Sequence, residues 1–427
     1  METYGKILLI AMPAFLFLVL FEKWYGWYKS KDPVHNMDMI SGLTSGVTNV
    51  TKDVLALSIP IIAYSLLVEK VAIYHIKTTW VTYAVAFLAI DFAGYWVHRW
   101  SHHVNLFWNL HIIHHSSEEF NLACALRQSV TLFFNPFTFL LIPAALFGIS
   151  DKVIATVGPL QLFAQFWYHT RHINKMGIFE YIIVTPSHHR VHHAINKIYL
   201  DKNLSQIFIF WDKLFGTFQK ELPETPPVYG ITRPVRTWNP IKINFLHLWL
   251  LMKDAWRTND WKDKFRIWFM PTGWRPADVI DKYPVYKIND PYHFEKYDPK
   301  TSTALNAWCW VQLLAILLFI SYLFGNISTI NNMNAAYIYI YGAFAFLEVY
   351  ALTELMDRNR YAIFWEALKN VFGIIIIYKT GDWFGASGFL AWIPYALIAY
   401  FILSTVITGW FVSRHYKEDH PQLSVSV

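Results

Sequence analysis

His98 and His102 stand four residues apart; His111, His114 and His115 follow at i, i+3 and i+4, and His189, His192 and His193 repeat that spacing. Residues three and four apart share one face of a helix, so each group aims two or three imidazoles at one place. Of 18 histidines, 12 fall between residues 98 and 193, less than a quarter of the chain. Imidazoles gathered in a low-dielectric setting without a metal would have to be protonated or hydrogen-bonded, at considerable cost. Imidazole suits iron, zinc, copper and nickel. With His169, which stands apart from the three groups, nine candidate ligands result. One zinc takes about four, so the number suggests two ions. No His-Glu-x-x-His sequence is present to signal a zinc protease.

The other histidines read differently. His103 and His188 adjoin the groups without sharing their face, which suits an outer-layer or solvated role. His172, three residues after His169, is a further ligand candidate. His35, His75, His247, His293, His415 and His420 lie outside any group and read as ordinary. Among the remaining polar residues, Asp91 lies in an apolar stretch seven residues before His98, on the same helix face. An ionisable group there is a functional candidate, as a carboxylate on an imidazole N–H or as a structural hydrogen-bond partner. Glu118, four residues after His114, suits an outer-layer or proton-handling role, or is a solvated charge. Asp212 orients a ligand or pairs locally. Arg127 meets a cofactor, a carboxylate or a lipid headgroup, or is an ordinary interfacial arginine. Trp100, Phe107, Trp108 and Trp167 flank the histidines and read as packing and lipid-contact residues.

The elements that must position these residues are set by composition. The 427 residues are 55% apolar, 18% aromatic and 15% charged, against roughly 25% charged in a soluble protein. Such a chain is covered largely by lipid, with its Trp and Tyr at headgroup level. Membrane spans of roughly 20 residues are expected at 5–22, 53–71, 78–97, 129–148, 152–168, 304–325, 334–353 and 385–412, with 361–378 as a further member. The opening run has no small-residue cleavage site after it, and Glu22-Lys23-Trp24-Tyr25 reads as an interfacial anchor rather than the end of a signal peptide.

Gly148 to Lys152 joins two of these segments into a hairpin over 129–168, so residues 98–128 and 169–302 face one compartment and the histidines converge. The region 170–302 holds 20 Lys/Arg against 13 Asp/Glu, which the positive-inside rule places in the cytoplasm. The net charge of +6 is scattered, with no nucleic-acid-binding motif, and suits a face meeting anionic lipid. Two cysteines, Cys124 and Cys309, are too few for an iron–sulfur site or a disulfide framework. The expectation is an all-α, polytopic membrane protein with about eight to nine transmembrane helices. It divides into N-terminal helices (1–97), a cytoplasmic histidine-bearing catalytic region (98–302) and C-terminal helices (303–427).

His98-Arg-Trp-Ser-His102, His111-Ile-Ile-His114-His115 and His189-Arg-Val-His192-His193 resemble the three histidine boxes of the fatty acid hydroxylase/sterol desaturase superfamily. Residues 114–122, 125–129, 185–193, 201–203, 211–217, 229–234 and 239–242 are similar to its ether-lipid monooxygenase branch, and the likeness covers about 80–275. The resemblance implies two irons held by the eight box histidines with His169 as a ninth ligand, O2 as co-substrate, an ether-lipid substrate and tetrahydrobiopterin as electron donor. It also brings His103 and Arg127 forward as pterin contacts, although relatives often carry an acidic residue where this chain has His103. No flavin, nicotinamide or haem module is visible in the chain, so electrons come from an external donor. Within the superfamily, a sterol, fatty-acid or carotenoid hydroxylase or desaturase is the alternative. A haem electron carrier would need histidine pairs on separate spans at two depths, and a metal transporter would need ligands along a path through the spans.

Overall fold

The computed structural model describes residues 2–30, 34–57, 59–60, 62–131 and 134–419. The apolar run at the start of the chain forms helix α1 (Glu2–Ser30). Next comes α2 (Asn36–Val54), a helix that hydropathy does not announce because its buried side includes Asp38, Ser41, Thr44, Thr48 and Thr51. Thr44 donates to the Ile40 carbonyl at 2.9 Å and Thr51 to the Val47 carbonyl at 2.7 Å, within the helix, while Ser41 donates to the Trp238 carbonyl at 2.7 Å. Such back-bonding lets a polar helix sit among other helices without unpaired groups. Helix α3 (Trp80–His103) starts at Thr79, whose amide donates to Thr82 Oγ1 at 3.1 Å in a reciprocal cap. It runs without interruption to the first histidine pair.

The rest of the scaffold follows the same rules. Helix α4 (Asp151–Phe163) begins after the Ser150 cap. Helix α5 (Pro186–His192) begins with proline, which lacks only a donor that the first turn leaves unused. Asn239 caps α6 (Pro240–Arg257), and Asp260 caps α7 (Trp261–Arg266). Four long helices complete the chain: α8 (Thr303–Gly325), α9 (Tyr337–Met356), α10 (Ala362–Thr380) and α11 (Ile393–Asp419). Apart from a two-residue parallel pairing of Ile59–Pro60 with Phe134–Asn135, the described residues are helical or irregular. The expected positions of His420 and of the end of the chain lie outside the described residues, as does the side chain of His415.

Among the described residues, five helices are long and apolar enough to cross a membrane: Gly5–Lys29 of α1, α3, α8, α9 and Ile393–Arg414 of α11. The protein is a multi-pass integral membrane protein. Five is fewer than the eight to nine apolar stretches, and the shortfall has a physical cause. The stretch 53–71 is broken where α2 ends at Val54, and it resumes only as the short helix Tyr64–Val71. In 129–168, Pro136 and Pro143 restrict the first arm to short turns over Phe137–Leu146, and Gly148, at φ +64°, closes the bend. The second arm, α4, has 13 residues, roughly 20 Å of helix against a hydrocarbon core of about 30 Å. The chain does double back here, with α4 packed along α3. Helix α10 is long enough but carries Glu366, Lys369 and Lys379. Helices α2 and α8–α11 share one apolar core, whereas α3, α4 and the broken arm form a separate cluster around Ala86, Ile149 and Val157.

Candidate metal centre

The structure brings the nine singled-out histidines together and divides them into two groups. His98, His102, His111, His115 and His192 form one, and His114, His169, His189 and His193 the other; within each, the ligand nitrogens all lie within 4.8 Å of one another. Neighbours in sequence fall into different groups, His114 from His115 and His192 from His193, because a helical step turns each side chain by about 100°. The two groups touch: the His115 and His193 rings are 4.4 Å apart. His98 and His102 occupy the last two turns of α3. His189 and His192 lie on α5 with His193 at its C-cap, and His169 follows the doubled-back arm.

Hydrogen bonding shows whether these imidazoles suit a metal. His98 Nδ1 donates to the Leu204 carbonyl at 2.7 Å, His192 Nδ1 to the Lys202 carbonyl at 3.0 Å, and His102 Nδ1 faces Asp201 Oδ1 at 3.1 Å. In the other group His114 Nδ1 donates to the Arg127 carbonyl at 3.3 Å and His169 Nδ1 to the Gln165 carbonyl at 3.0 Å. A carbonyl only accepts, so these bonds place the proton on Nδ1 and leave Nε2 a bare lone pair. Yet His114 Nε2 faces His169 Nε2 at 3.3 Å, lone pair to lone pair. The Nε2 atoms of His102, His115 and His192 are buried with no hydrogen-bond partner. A cation relieves both conditions, so the residues fit a metal in each group.

One loop supplies the outer bonds of three members of the five-histidine group. Asp201, Lys202 and Leu204 present a carboxylate and two carbonyls to His102, His192 and His98. The loop bends through left-handed positions at Asp201 (φ 56°) and Asn203 (φ 54°), residue types that tolerate them. Asn203 Nδ2 donates to the His188 and Gln219 carbonyls. Asp212 accepts from Leu204 N at 2.7 Å, Ser205 N at 2.9 Å and Thr217 Oγ1 at 2.6 Å. Asp91 accepts from Ile207 N, Phe208 N and Trp211 Nε1, at 2.9, 3.2 and 2.9 Å. The expectation that Asp91 meets an imidazole is therefore corrected. Its carboxylate is taken up by the 207–211 backbone and an indole, and both Asp91 and Asp212 position the loop that holds the ligands. Asp201, which had no role assigned from sequence, is the carboxylate that touches one of the grouped histidines, His102. Asp201→Asn is expected to weaken metal affinity about 10–100-fold, at the five-histidine group alone, as read from metal content during chelator titration.

The other candidates are placed as follows. The Arg127 side chain is buried in an ion pair with Asp38 at 2.7 Å and donates to Ser116 Oγ at 2.8 Å, while its carbonyl holds His114. Glu118 accepts from Tyr297 N at 2.7 Å, and burial raises its carboxyl above the usual range. The exposed His103 ring bonds the Arg99 carbonyl one turn back on α3. His172 is exposed, with its ring on Tyr25, and joins neither group. His188 bonds Thr185 at the start of α5, and His247 bonds the Asn105 carbonyl. Glu22, expected as part of an interfacial anchor, turns inward and accepts from Thr170 Oγ1 and Leu122 N, each at 2.6 Å, bracing the chain on either side of the second group.

A cavity of about 220 Å³ reaches the five-histidine group at His102, His115 and His192, with Asp201, Trp108 and Trp274 also in its wall. Trp108 stands 5.3 Å from the His102 ring, so it borders the site as well as packing. The four-histidine group is enclosed instead by aromatic rings, with Tyr168 at 4.4 Å from His189 and Phe120 at 5.3 Å from His193. The two positions therefore differ in access.

Burial, and then the positive charge of neighbouring imidazoles, holds His111, His114, His115, His189, His192 and His193 well below the ordinary histidine range. Burial lowers His169 from 6.5 to about 3. An imidazole lowered in the folded state takes up its proton first in the unfolded chain, so its stabilising contribution is full above 6.5 and is lost as the pH falls towards 3. Metal-stripped protein is expected to melt at progressively lower temperature as the pH is lowered through that window, in a scan of melting temperature against pH.

Fold and site together define a membrane protein with two adjoining histidine groups of the kind that can hold metal. The family model for fatty acid hydroxylases matches residues 83–217, which contain all nine imidazoles. Human alkylglycerol monooxygenase is 33% identical over 87% of this chain and 82% of its own length, and the chain belongs to that family. Alkylglycerol monooxygenase of Danio rerio is 29% identical over 95% of this chain and 89% of its own. A Delta(7)-sterol 5(6)-desaturase of Aspergillus fumigatus is 27% identical over 33% of this chain and 40% of its own. No solved structure gives a significant match.

Proposed function

We propose that the chain is a membrane monooxygenase that holds one iron in each histidine group and hydroxylates the ether-linked carbon of alkylglycerol lipids. The observation that carries the metal reading is the convergence of bare Nε2 lone pairs in two adjoining groups. The substrate reading is supported by the family, whose members match along most of the chain. Bound iron with O2 supplies an oxidant able to break a C–H bond. The C–H next to an ether oxygen is the weak target. It exchanges hydrogen for hydroxyl while two electrons and two protons reduce the second oxygen atom to water. The hemiacetal then breaks its C–O bond to give a fatty aldehyde and a glycerol derivative.

The chain's own part is positioning. The 201–212 loop, locked by Asp91 and Asp212, fixes the rings of His98, His102 and His192. The cavity beside His102 and Trp108 admits substrate to the more open metal position. Electrons come from an external donor, for which a tetrahydropterin is the proposed class. The spans are the five apolar helices with α10 as a sixth, and residues 134–168 form a hairpin that enters and leaves by one face. The excess of Lys and Arg over 170–302 supports placing the metal centre on the cytoplasmic side. The test is incubation of iron-loaded protein with a 1-O-alkylglycerol and O2, with and without tetrahydrobiopterin. Pterin-dependent fatty aldehyde is expected. A hydroxylated or desaturated sterol or acyl lipid, formed instead from a panel of lipids, would replace the ether reading.

A further inference from the structure

Helices α6 and α7 lie in the polar region 170–302, yet one side of each exposes large apolar side chains. Trp249, Met252, Trp256, Trp261, Phe265 and Phe269 are between 47% and 86% exposed. On α6 the three fall at i, i+3 and i+7, and on α7 and its extension at i, i+4 and i+8, which gives each helix one apolar face. Isolated exposed apolar side chains are ordinary; a contiguous aromatic face is not. Of the charges beside it, Asp254 is buried with Arg275, and Asp263 is buried against the exposed Arg266; Lys253 and Arg257 are half-buried, and Asp260 and Lys262 are exposed.

The position of this face relative to the spans follows from hydrogen bonds at both ends. At the start of α6, Asn239 Nδ2 donates to Glu354 Oε1 at 3.0 Å, and Trp238 N donates to Asp357 Oδ1 at 2.7 Å, at the last turn of α9. After α7, the Ile267 and Trp268 carbonyls accept from Asn105 Nδ2 and Leu106 N, each at 2.9 Å, and Thr272 N donates to the His103 carbonyl at 3.2 Å, where α3 ends. Helix α6 is about 27 Å long at 1.5 Å per residue. Held at the ends of two spans, the segment runs along the membrane face instead of rising from it. Tryptophan and phenylalanine flanked by lysine and arginine is the composition of a helix seated among lipid headgroups. The opposite side of α6 contributes His247, Leu250 and Leu251 to the wall of the cavity that reaches the metal centre.

We propose that α6 and α7 lie in the bilayer interface with this aromatic face in lipid, so that α6 forms the wall between the membrane and the metal cavity. Its consequence for catalysis, that the lipid substrate reaches the cavity from the leaflet past α6, rests on the ether-lipid reading; the membrane contact does not.

The contact is tested on the full chain in nanodiscs of phosphatidylcholine and phosphatidylserine. An environment-sensitive fluorophore is attached at Trp256→Cys or Phe265→Cys, with Glu224→Cys as a control; Cys124 and Cys309 are buried. The labels at 256 and 265 are expected to emit at shorter wavelength, to be quenched by brominated phosphatidylcholine, and to resist aqueous iodide. The label at 224, on an exposed loop, is expected to do the reverse. Quenching of 256 and 265 by iodide alone would overturn the proposal by placing the face in water. Protection from both quenchers would overturn it in favour of a second protein copy. For the route, Trp256→Ser with Phe265→Ser is expected to raise KM for a long-chain ether lipid in vesicles about tenfold. The kcat, and the KM for a short-chain water-soluble ether, should be unchanged. An unaltered KM with lipid-quenched labels would remove the route and leave the contact. Absence of aldehyde from the unsubstituted protein would count against the ether reading and not against the contact.

Discussion

Replacing His192 and His193 by alanine, one at a time, is expected to remove different metal ions, although the two residues are adjacent. His192 lies with His98, His102, His111 and His115, whereas His193 lies with His114, His169 and His189. Each alanine leaves its own group one ligand short and does not touch the other group's nitrogens. Each variant should bind about one ion instead of two, as counted by elemental analysis of protein desalted from excess iron. Activity should fall more than about 100-fold in both, beyond what loss of an outer-shell partner costs. The remaining ions should differ, because His193→Ala keeps the five-histidine position with Asp201 behind it and His192→Ala keeps the one enclosed by Tyr168 and Phe120. Mössbauer spectra of the two variants are expected to retain complementary parts of the signal of the unsubstituted protein. Asp201→Asn added to His192→Ala should then release no further iron. Loss of the same spectral component in both variants would show a single shared site and end the two-group assignment.

The histidines stand out in the sequence by their spacing, but the grouping within each box does not. The pairs that share a group, His98 with His102, His111 with His115 and His189 with His193, are four residues apart, whereas His111 and His114, and His189 and His192, at three residues, fall into different groups. What orients them does not stand out either. Four of the five outer bonds to fixed imidazoles end on backbone carbonyls, those of Leu204, Lys202, Arg127 and Gln165. A carbonyl belongs to every residue type, so no side chain marks it. Asp91 shows the converse. Its place in an apolar helix marks it as important, and its helical register points it towards His98, but the 207–211 backbone gets there first. Span counting fails for a related reason. Hydropathy registers apolar content over 53–71 and 129–168 and is blind to the prolines and turns that stop a continuous helix there. It likewise passes over α2, whose polar face is buried against protein. The apolar side of α6 is not read from the sequence, where 170–302 stands out only by its charge.

The second large effect is expected at Asp38, which carries no motif and sits on that polar helix. Its carboxylate accepts from Arg127 at 2.7 Å and from Ser117 Oγ at 2.7 Å, and both members of the ion pair are almost fully buried. Removing one partner strands a charge away from water, at a cost of about 3–5 kcal/mol. Asp38→Ala is therefore expected to lower the melting temperature sharply. Because the Arg127 carbonyl holds His114 Nδ1, it should also weaken metal binding in the four-histidine group about 10–100-fold. Replacing both partners by apolar residues of similar size, Asp38→Leu with Arg127→Met, removes the stranded charge and keeps the carbonyl. Stability and metal content should both recover, since a buried pair is often exchanged for apolar packing at no net loss. The double variant also separates two roles for Arg127. Recovery of turnover along with metal means that the arginine serves by holding its own carbonyl against His114. Recovery of metal with a raised KM for tetrahydropterin alone means that the guanidinium contacts the electron donor. The buried pairing with Asp38 and Ser116 favours the first outcome.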